Sequence, residues 1–266
     1  MINIPNVAFG TWQLQGEECY NAVLKAILYG YKHIDTAMNY GNEKEIARAI
    51  KDSKVKRENL FITSKLPAEI KNYEDAKKSI EESLSNLETD YLDLYLIHAP
   101  WPWSEVGKNC DEGNIEVWKC LIEYQKMGKL KNIGVSNFHP HDIQNIYDAT
   151  GVWPVCNQIR YFIGNTQDEI VNYCNEHNIL IEAYSPLATG ELVNNEHIVN
   201  MAKRLNISTV KLCLSYVYTK GYVLLVKSKT DSRIKENLDN FMILSDEDMK
   251  YLDSLKHIAS TRTLRS

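Results

Sequence analysis

The stretch KHIDTAMNYGNEKEIARAI, residues 32–50, holds the fold in miniature. A short apolar run ends on Asp35, a polar loop containing Tyr40 follows, and Gly41 opens an amphipathic run that ends at Ile50. The same strand–loop–helix unit recurs along the chain. Strands are expected at 7–10, 33–35, 60–64, 92–98, 132–135, 154–157, 179–183 and 222–226. Helices are expected at 17–28, 43–51, 73–87, 114–127, 143–148, 167–176, 196–205 with 210–218, and 232–240. Parallel strands need helical crossovers, and eight such units can close on themselves. The pattern therefore predicts an α/β fold, one (β/α)8 TIM barrel spanning 1–266 as one domain, with an additional C-terminal helix at 246–257.

Composition agrees with this class. The chain has 266 residues, 44% of them hydrophobic and 24% charged, as in a globular protein able to bury a large core. A formal net charge of −5, with no block of like charges, argues against nucleic acid or a membrane surface as the main partner. The opening MINIPNVAFG lacks a basic segment followed by an apolar one, so a cytoplasmic protein is expected. The cysteines at 19, 110, 120, 156, 174 and 213 form no CxxC pair, and no HxxxH or HExxH occurs, so reduced thiols and no metal site are expected.

In such barrels the chemistry sits at the C-terminal ends of the strands. Reading those ends gives Trp12, Asp35 and Tyr40, Lys65, His98, Ser136 and Asn137, Gln158, Tyr184, and Lys227 with Ser228. Each is polar or aromatic in a chain whose strand interiors are Leu, Ile and Val. A phenol with a pKa of about 10 is a poor acid at neutral pH unless a cation stands beside it. Lys65 could be that cation, held charged by Asp35, while His98 orients a substrate oxygen. The four make a general acid with an oxyanion-stabilising site. Taken singly, Asp35 and Lys65 read as a structural ion pair before a catalytic one, and Tyr40 and His98 as packing residues; their joint occurrence reverses that order and favours chemistry.

The stretches GTWQ (10–13), HIDTAMNYG (33–41), ITSKL (62–66), LIHAPWP (96–102), GVSNF (134–138), NQ (157–158), EAYSPLATG (182–190) and VKSKTDSRIKENL (226–238) together resemble the aldo-keto reductase superfamily, in order and over about nine-tenths of the chain. The resemblance implies an NADPH-dependent reductase of aldehydes or ketones with Tyr40, Asp35, Lys65 and His98 as its catalytic tetrad. It implies an NADPH/NADP+ site in which Ser136, Asn137 and Gln158 hold the carboxamide and Tyr184 stacks on the nicotinamide. Ser185, Leu187, Lys227, Ser228, Thr230, Arg233, Glu236 and Asn237 would complete it. The basic cluster Lys227, Lys229 and Arg233 at a helix start suits a 2′-phosphate. The absence of any G-x-G removes the Rossmann alternative. Trp12, Trp101 and Trp103 are candidate walls of a carbonyl-substrate pocket.

Two departures from the family pattern stand out: Arg160 occupies a position where many relatives carry a carboxylate, and Val226 replaces a proline before Lys227. Two other functions compete: a nicotinamide-binding redox sensor or regulatory subunit with little turnover, and a lyase using Lys65 as a Schiff-base nucleophile. Asp35 opposes the second by keeping the amine charged. The expected partner is a small carbonyl compound, and the expected assembly a monomer.

Overall fold

The computed structural model describes residues 3–260. Eight parallel strands, β1 (Val7–Gly10), β2 (His33–Asp35), β3 (Phe61–Leu66), β4 (Leu94–Ile97), β5 (Ile133–Ser136), β6 (Cys156–Arg160), β7 (Leu180–Tyr184) and β8 (Val223–Val226), pair in sequence order and close with β8 on β1. Around them run α1 (Gly16–Tyr29), α2 (Glu43–Ser53), α3 (Tyr73–Asn86), α4 (Asp111–Lys126), α5 (Pro140–Thr150), α6 (Asp168–Glu176), α7 (Glu196–Leu205), α8 (Thr209–Thr219) and α9 (Asp231–Glu236), with α10 (Asp246–Ser254) following. This is the expected (β/α)8 TIM barrel with a further helix after it. No helix among the described residues is long and apolar enough to cross a membrane.

The strands are apolar on both faces because both are buried. Phe9, Tyr95, Ile97 and Leu224 face the helices, whereas Ala8, Leu94, Leu96, Cys156, Val223 and Leu225 fill the barrel's interior with Ile4. The two sets alternate along each strand, as a period of two requires. Gly134 has no side chain because none would fit: a Cβ there would lie 2.8 Å from Leu96 Cδ2 and 2.9 Å from Cys156 Sγ. Above this apolar filling, toward the C-terminal ends, the interior turns polar. The buried residues there are Asp35, Lys65, Ser136, Gln158, Arg160 and Glu182.

Boundaries differ from expectation where side chains replace backbone or where a polar residue looks like loop. β4 begins at Leu94, two residues late, because Asp93 Oδ2 takes the Ile62 amide (2.9 Å) and Arg57 (2.8 Å). β3, β5, β6 and β7 run one to three residues further than read, so Lys65, Ser136, Gln158 and Tyr184 belong to strands rather than to the loops after them. α4 starts at Asp111 and so includes Gly113, a residue that looks like a boundary. Its bare Cα lets Lys71 pass over the helix, where a Cβ would stand 2.7 Å from that of Lys71. α5 starts at Pro140, with Asp142 accepting the His139 amide at 2.9 Å. α9 is shorter than read, and α10 ends at Ser254 where Leu255 turns extended.

Candidate active site

Asp35 ends β2, and the chain turns at once through a 3-10 turn, Met38–Tyr40, that carries Tyr40 back over the barrel. The turn is fixed by the buried Asn42, whose nitrogen donates to the carbonyls of Thr11 (3.0 Å) and Leu14 (2.9 Å) while its oxygen accepts from the Thr36 hydroxyl (2.8 Å). Gln15 Nε2 donates to the Tyr40 carbonyl (2.7 Å). The opening stretch thus forms one hydrogen-bonded unit with the loop after β1.

Beneath Tyr40 lies Lys65, 1% exposed. Its ammonium donates to Asp35 Oδ1 (2.7 Å) and to the Thr36 carbonyl (2.8 Å), and stands 5.3 Å from the centre of the Tyr40 ring. Burial works against the ammonium, but Asp35, helped by Tyr40 and Glu182, outweighs it and holds Lys65 above the ordinary lysine value. Burial is also the largest influence on Tyr40 and pushes the phenol up, with Lys65 pulling it back. The expected pull of Lys65 is therefore present but smaller than desolvation. The result is a phenol that keeps its proton while a cation stands ready to stabilise the charge left when the proton goes.

His98 follows β4. Its ring meets Tyr40 edge-on at 5.7 Å and Trp103 at 5.4 Å. Burial, reinforced by Lys65, holds the imidazole well below its ordinary pKa, so it is neutral and offers one N–H. Its Nδ1 is buried with no hydrogen-bond partner among the described residues. The loop beyond is pinned from behind: Lys71 Nζ donates to the Ala99 carbonyl and to Asn114 Oδ1 (both 2.9 Å), and Asn114 Nδ2 donates to the Pro100 carbonyl (2.9 Å). Burial lowers the Lys71 ammonium to about 8.

On the opposite wall the polar groups form one chain of hydrogen bonds. Tyr184 Oη donates to Asn137 Oδ1 (2.9 Å), and Asn137 Nδ2 donates to Ser136 Oγ (3.0 Å) and to the His98 carbonyl (3.1 Å). The Ser136 hydroxyl donates to the Gln158 carbonyl (2.9 Å). Gln158 Nε2 then donates to Asp35 Oδ2 (2.8 Å) and to Glu182 Oε2 (2.9 Å). Left-handed backbone occurs around the same mouth at Gln13 (φ 64°), Asn137 (59°), Ser185 (54°), Ala188 (49°) and Thr189 (60°). For the β-branched Thr189 this is an unfavourable conformation, and its position beside a cavity is where such strain is usually kept.

These walls enclose a cavity of about 320 Å³. Asp35, Tyr40 and His98 line it, with Lys65 under Tyr40 as their partner. Of the residues expected to hold a cofactor, Ser136, Asn137, Gln158, Tyr184, Ser185, Leu187, Lys227 and Asn237 line the cavity, whereas Ser228, Thr230, Arg233 and Glu236 do not. Ser228 Oγ instead accepts the Thr230 amide (3.0 Å), Lys229 pairs with Glu18 (3.2 Å), and Arg233 is exposed. Trp12 and Trp103 line the cavity; Trp101 lies behind, edge-on to Trp103 at 5.2 Å. Two buried charged residues join the site without being foreseen as members. Arg160 sits over the Phe162 ring (5.1 Å) and lines the cavity. Glu182 lies next to Gln158 in register; a lone carboxylate inside the apolar strand LIEAY was the signal for it.

A closed barrel with this polar mouth is the architecture of the aldo/keto reductase family, and the chain belongs to that family: its model matches residues 6–257. The protein is an aldo-keto reductase, an oxidoreductase. It is 38% identical to the glyoxal reductase of Bacillus subtilis, over 96% of this chain and 90% of that one. It is 36% identical to the methylglyoxal reductase DkgA of Escherichia coli K12, over 92% and 86%. The aldo-keto reductase of Bombyx mori, solved in complex with NADP, superposes with a TM-score of 0.86 at 28% identity, covering 98% of this chain and 92% of that one.

Proposed function

We propose that this protein reduces small aldehydes and dicarbonyl compounds to alcohols with NADPH, and that Tyr40 is the proton donor. The observation that carries the reading is the convergence of a protonated phenol, a buried Asp35–Lys65 pair and a neutral imidazole on one cavity. The opposite wall fits the nicotinamide end of the cofactor: Ser136, Asn137 and Gln158 present amide and hydroxyl groups for a carboxamide, and Tyr184 supplies a ring face. Lys227 at the rim suits the phosphate end, and the NADP complex of the Bombyx mori relative supports the same cofactor class. A bound NADPH would supply the hydride.

The residues divide the rest of the work. His98, uncharged, donates its N–H to the substrate oxygen and fixes the carbonyl beside Tyr40. Tyr40 gives its hydroxyl proton to that oxygen as negative charge develops. Lys65 stabilises the phenolate that remains, and Asp35 keeps Lys65 charged. Trp12 and Trp103 close the sides and exclude water. The cavity must take the nicotinamide as well as the carbonyl compound, and a compact substrate agrees with the glyoxal and methylglyoxal that name two relatives.

The test is NADPH oxidation followed at 340 nm with glyoxal, methylglyoxal, an aromatic aldehyde and a simple ketone, repeated with NADH. Turnover of the small dicarbonyls with NADPH is expected. Cofactor binding without turnover of any carbonyl would sink the reading and leave a binding protein.

A further inference from the structure

Glu182 has no step of its own in the proposed chemistry, yet it is fully buried under the site. Such a position is costly for a carboxylate. Its Oε1 finds no hydrogen-bond partner among the described residues, and its Oε2 accepts one bond, from Gln158 Nε2. The ionisable groups acting on it are Asp35 from β2 and Lys65 from β3, with Cys156 nearby on β6; from β8 its register partner is the apolar Val223. Burial is the largest influence on its carboxyl and pushes the pKa up to about 7, with Asp35 adding to the rise. An apolar side chain would fill this position at less cost to folding, so the carboxylate calls for a functional account.

That account lies in Gln158. A carboxyl oxygen that bears no proton only accepts hydrogen bonds, even when the other oxygen of the group is protonated, so Asp35 Oδ2 and Glu182 Oε2 on one side of an amide require its nitrogen to face them. Both N–H bonds of Gln158 are used in this way, one on Asp35 and one on Glu182. One anchor would leave the amide free to turn about a single N–H···O axis; two diverging anchors fix its plane. What remains of the amide for a ligand in the cavity is its oxygen, an acceptor. We propose that Glu182 is a positioning residue that locks the Gln158 amide so that its oxygen accepts an N–H of the nicotinamide carboxamide. This rests on the nicotinamide reading above, and it gives the second carboxylate a task beyond the help it lends Asp35 in keeping Lys65 charged.

The test compares two dinucleotides in the absence of any carbonyl substrate, by fluorescence titration: NADP+ and its 3-acetylpyridine analogue, whose ring carries a methyl ketone and has no N–H to donate. Wild type is expected to favour NADP+ by about fivefold, the value of one hydrogen bond. Glu182→Met, apolar and of similar length, should bring the ratio near one, whereas Glu182→Gln, which retains an acceptor oxygen, should keep it. Thermal melts check folding, and should Glu182→Met not fold, Glu182→Thr, too short to reach Gln158, carries the same expectation. Equal discrimination in wild type and in the Met or Thr variant overturns the role of Glu182 alone. Equal affinity of wild type for both dinucleotides overturns it too, because the amide then does not read the carboxamide. Wild type that binds neither dinucleotide overturns the nicotinamide reading, and the proposal falls with it.

Discussion

Replacing Glu182 by Gln removes a titration while keeping size and shape, which makes its effect on folding calculable. Burial raises this carboxyl from 4.5 to about 7. Between those values the folded protein holds a proton that the unfolded chain has released, so the group's contribution is intact below pH 4.5 and is lost as pH rises through 7. A rise of about 2.5 units at about 1.4 kcal/mol each gives about 3 kcal/mol against folding once the group is ionised. The amide of the variant never ionises. Glu182→Gln should therefore exceed wild type in stability by about 3 kcal/mol at pH 8 and by only about 1 kcal/mol at pH 5. Equilibrium urea unfolding at the two pH values, with the difference taken between the two proteins, isolates this group from the others that titrate in the same range. A stability difference that is the same at pH 5 and pH 8 would refute the reasoning, because it would mean that the carboxyl titrates outside the window its burial dictates.

Tyr40→Phe should lower carbonyl reduction by about 10²–10⁴-fold with NADPH affinity unchanged; retention of more than about a tenth of the rate, with chemistry limiting, removes Tyr40 as the acid. Lys227→Ala should weaken NADPH binding about tenfold and NADH binding much less, while Arg233→Ala, exposed and off the cavity, should do little to either; titration of both cofactors against both variants decides. Trp103→Ala should raise KM for an aromatic aldehyde more than for glyoxal and more than Trp101→Ala does, because Trp103 alone of the pair touches the cavity. Uniform effects of the two tryptophans on both substrates would place them in the scaffold.

Periodicity and punctuation were enough to find all eight strands and their order, because a strand buried on both faces and a helix buried on one leave different spacings of apolar residues. They also brought Asp35, Tyr40, Lys65 and His98 to one mouth. Strand ends were harder to read. Lys65, Ser136, Gln158 and Tyr184 look like loop residues by composition, yet they form the last rungs of the barrel, where the site itself supplies partners for polar side chains. Glu182, the register neighbour of Gln158, hid differently, inside a strand that was expected and whose interior was read as apolar. The tryptophans and the basic cluster show a different limit. Sequence spacing places Trp101 and Trp103 on one loop, and Lys227 and Arg233 on one turn, but which of each pair faces the cavity depends on how the loop is held. Lys71, far away in sequence, clamps the first; the second is drawn toward α1 by Lys229 with Glu18.

The apolar filling below the polar layer has a consequence for traffic. Ile4, Leu94, Leu96, Cys156, Val223 and Leu225 close the barrel from beneath, and Gly134 lets Leu96 and Cys156 meet there. The site is a cup with a sealed base, and every molecule that uses it passes the same rim. Two ligands that stack in such a vessel cannot enter or leave independently: the deeper one goes in first and comes out last. Order of binding is then a property of the container before it is a property of either ligand's affinity, and whatever bridges the rim holds captive all that lies under it.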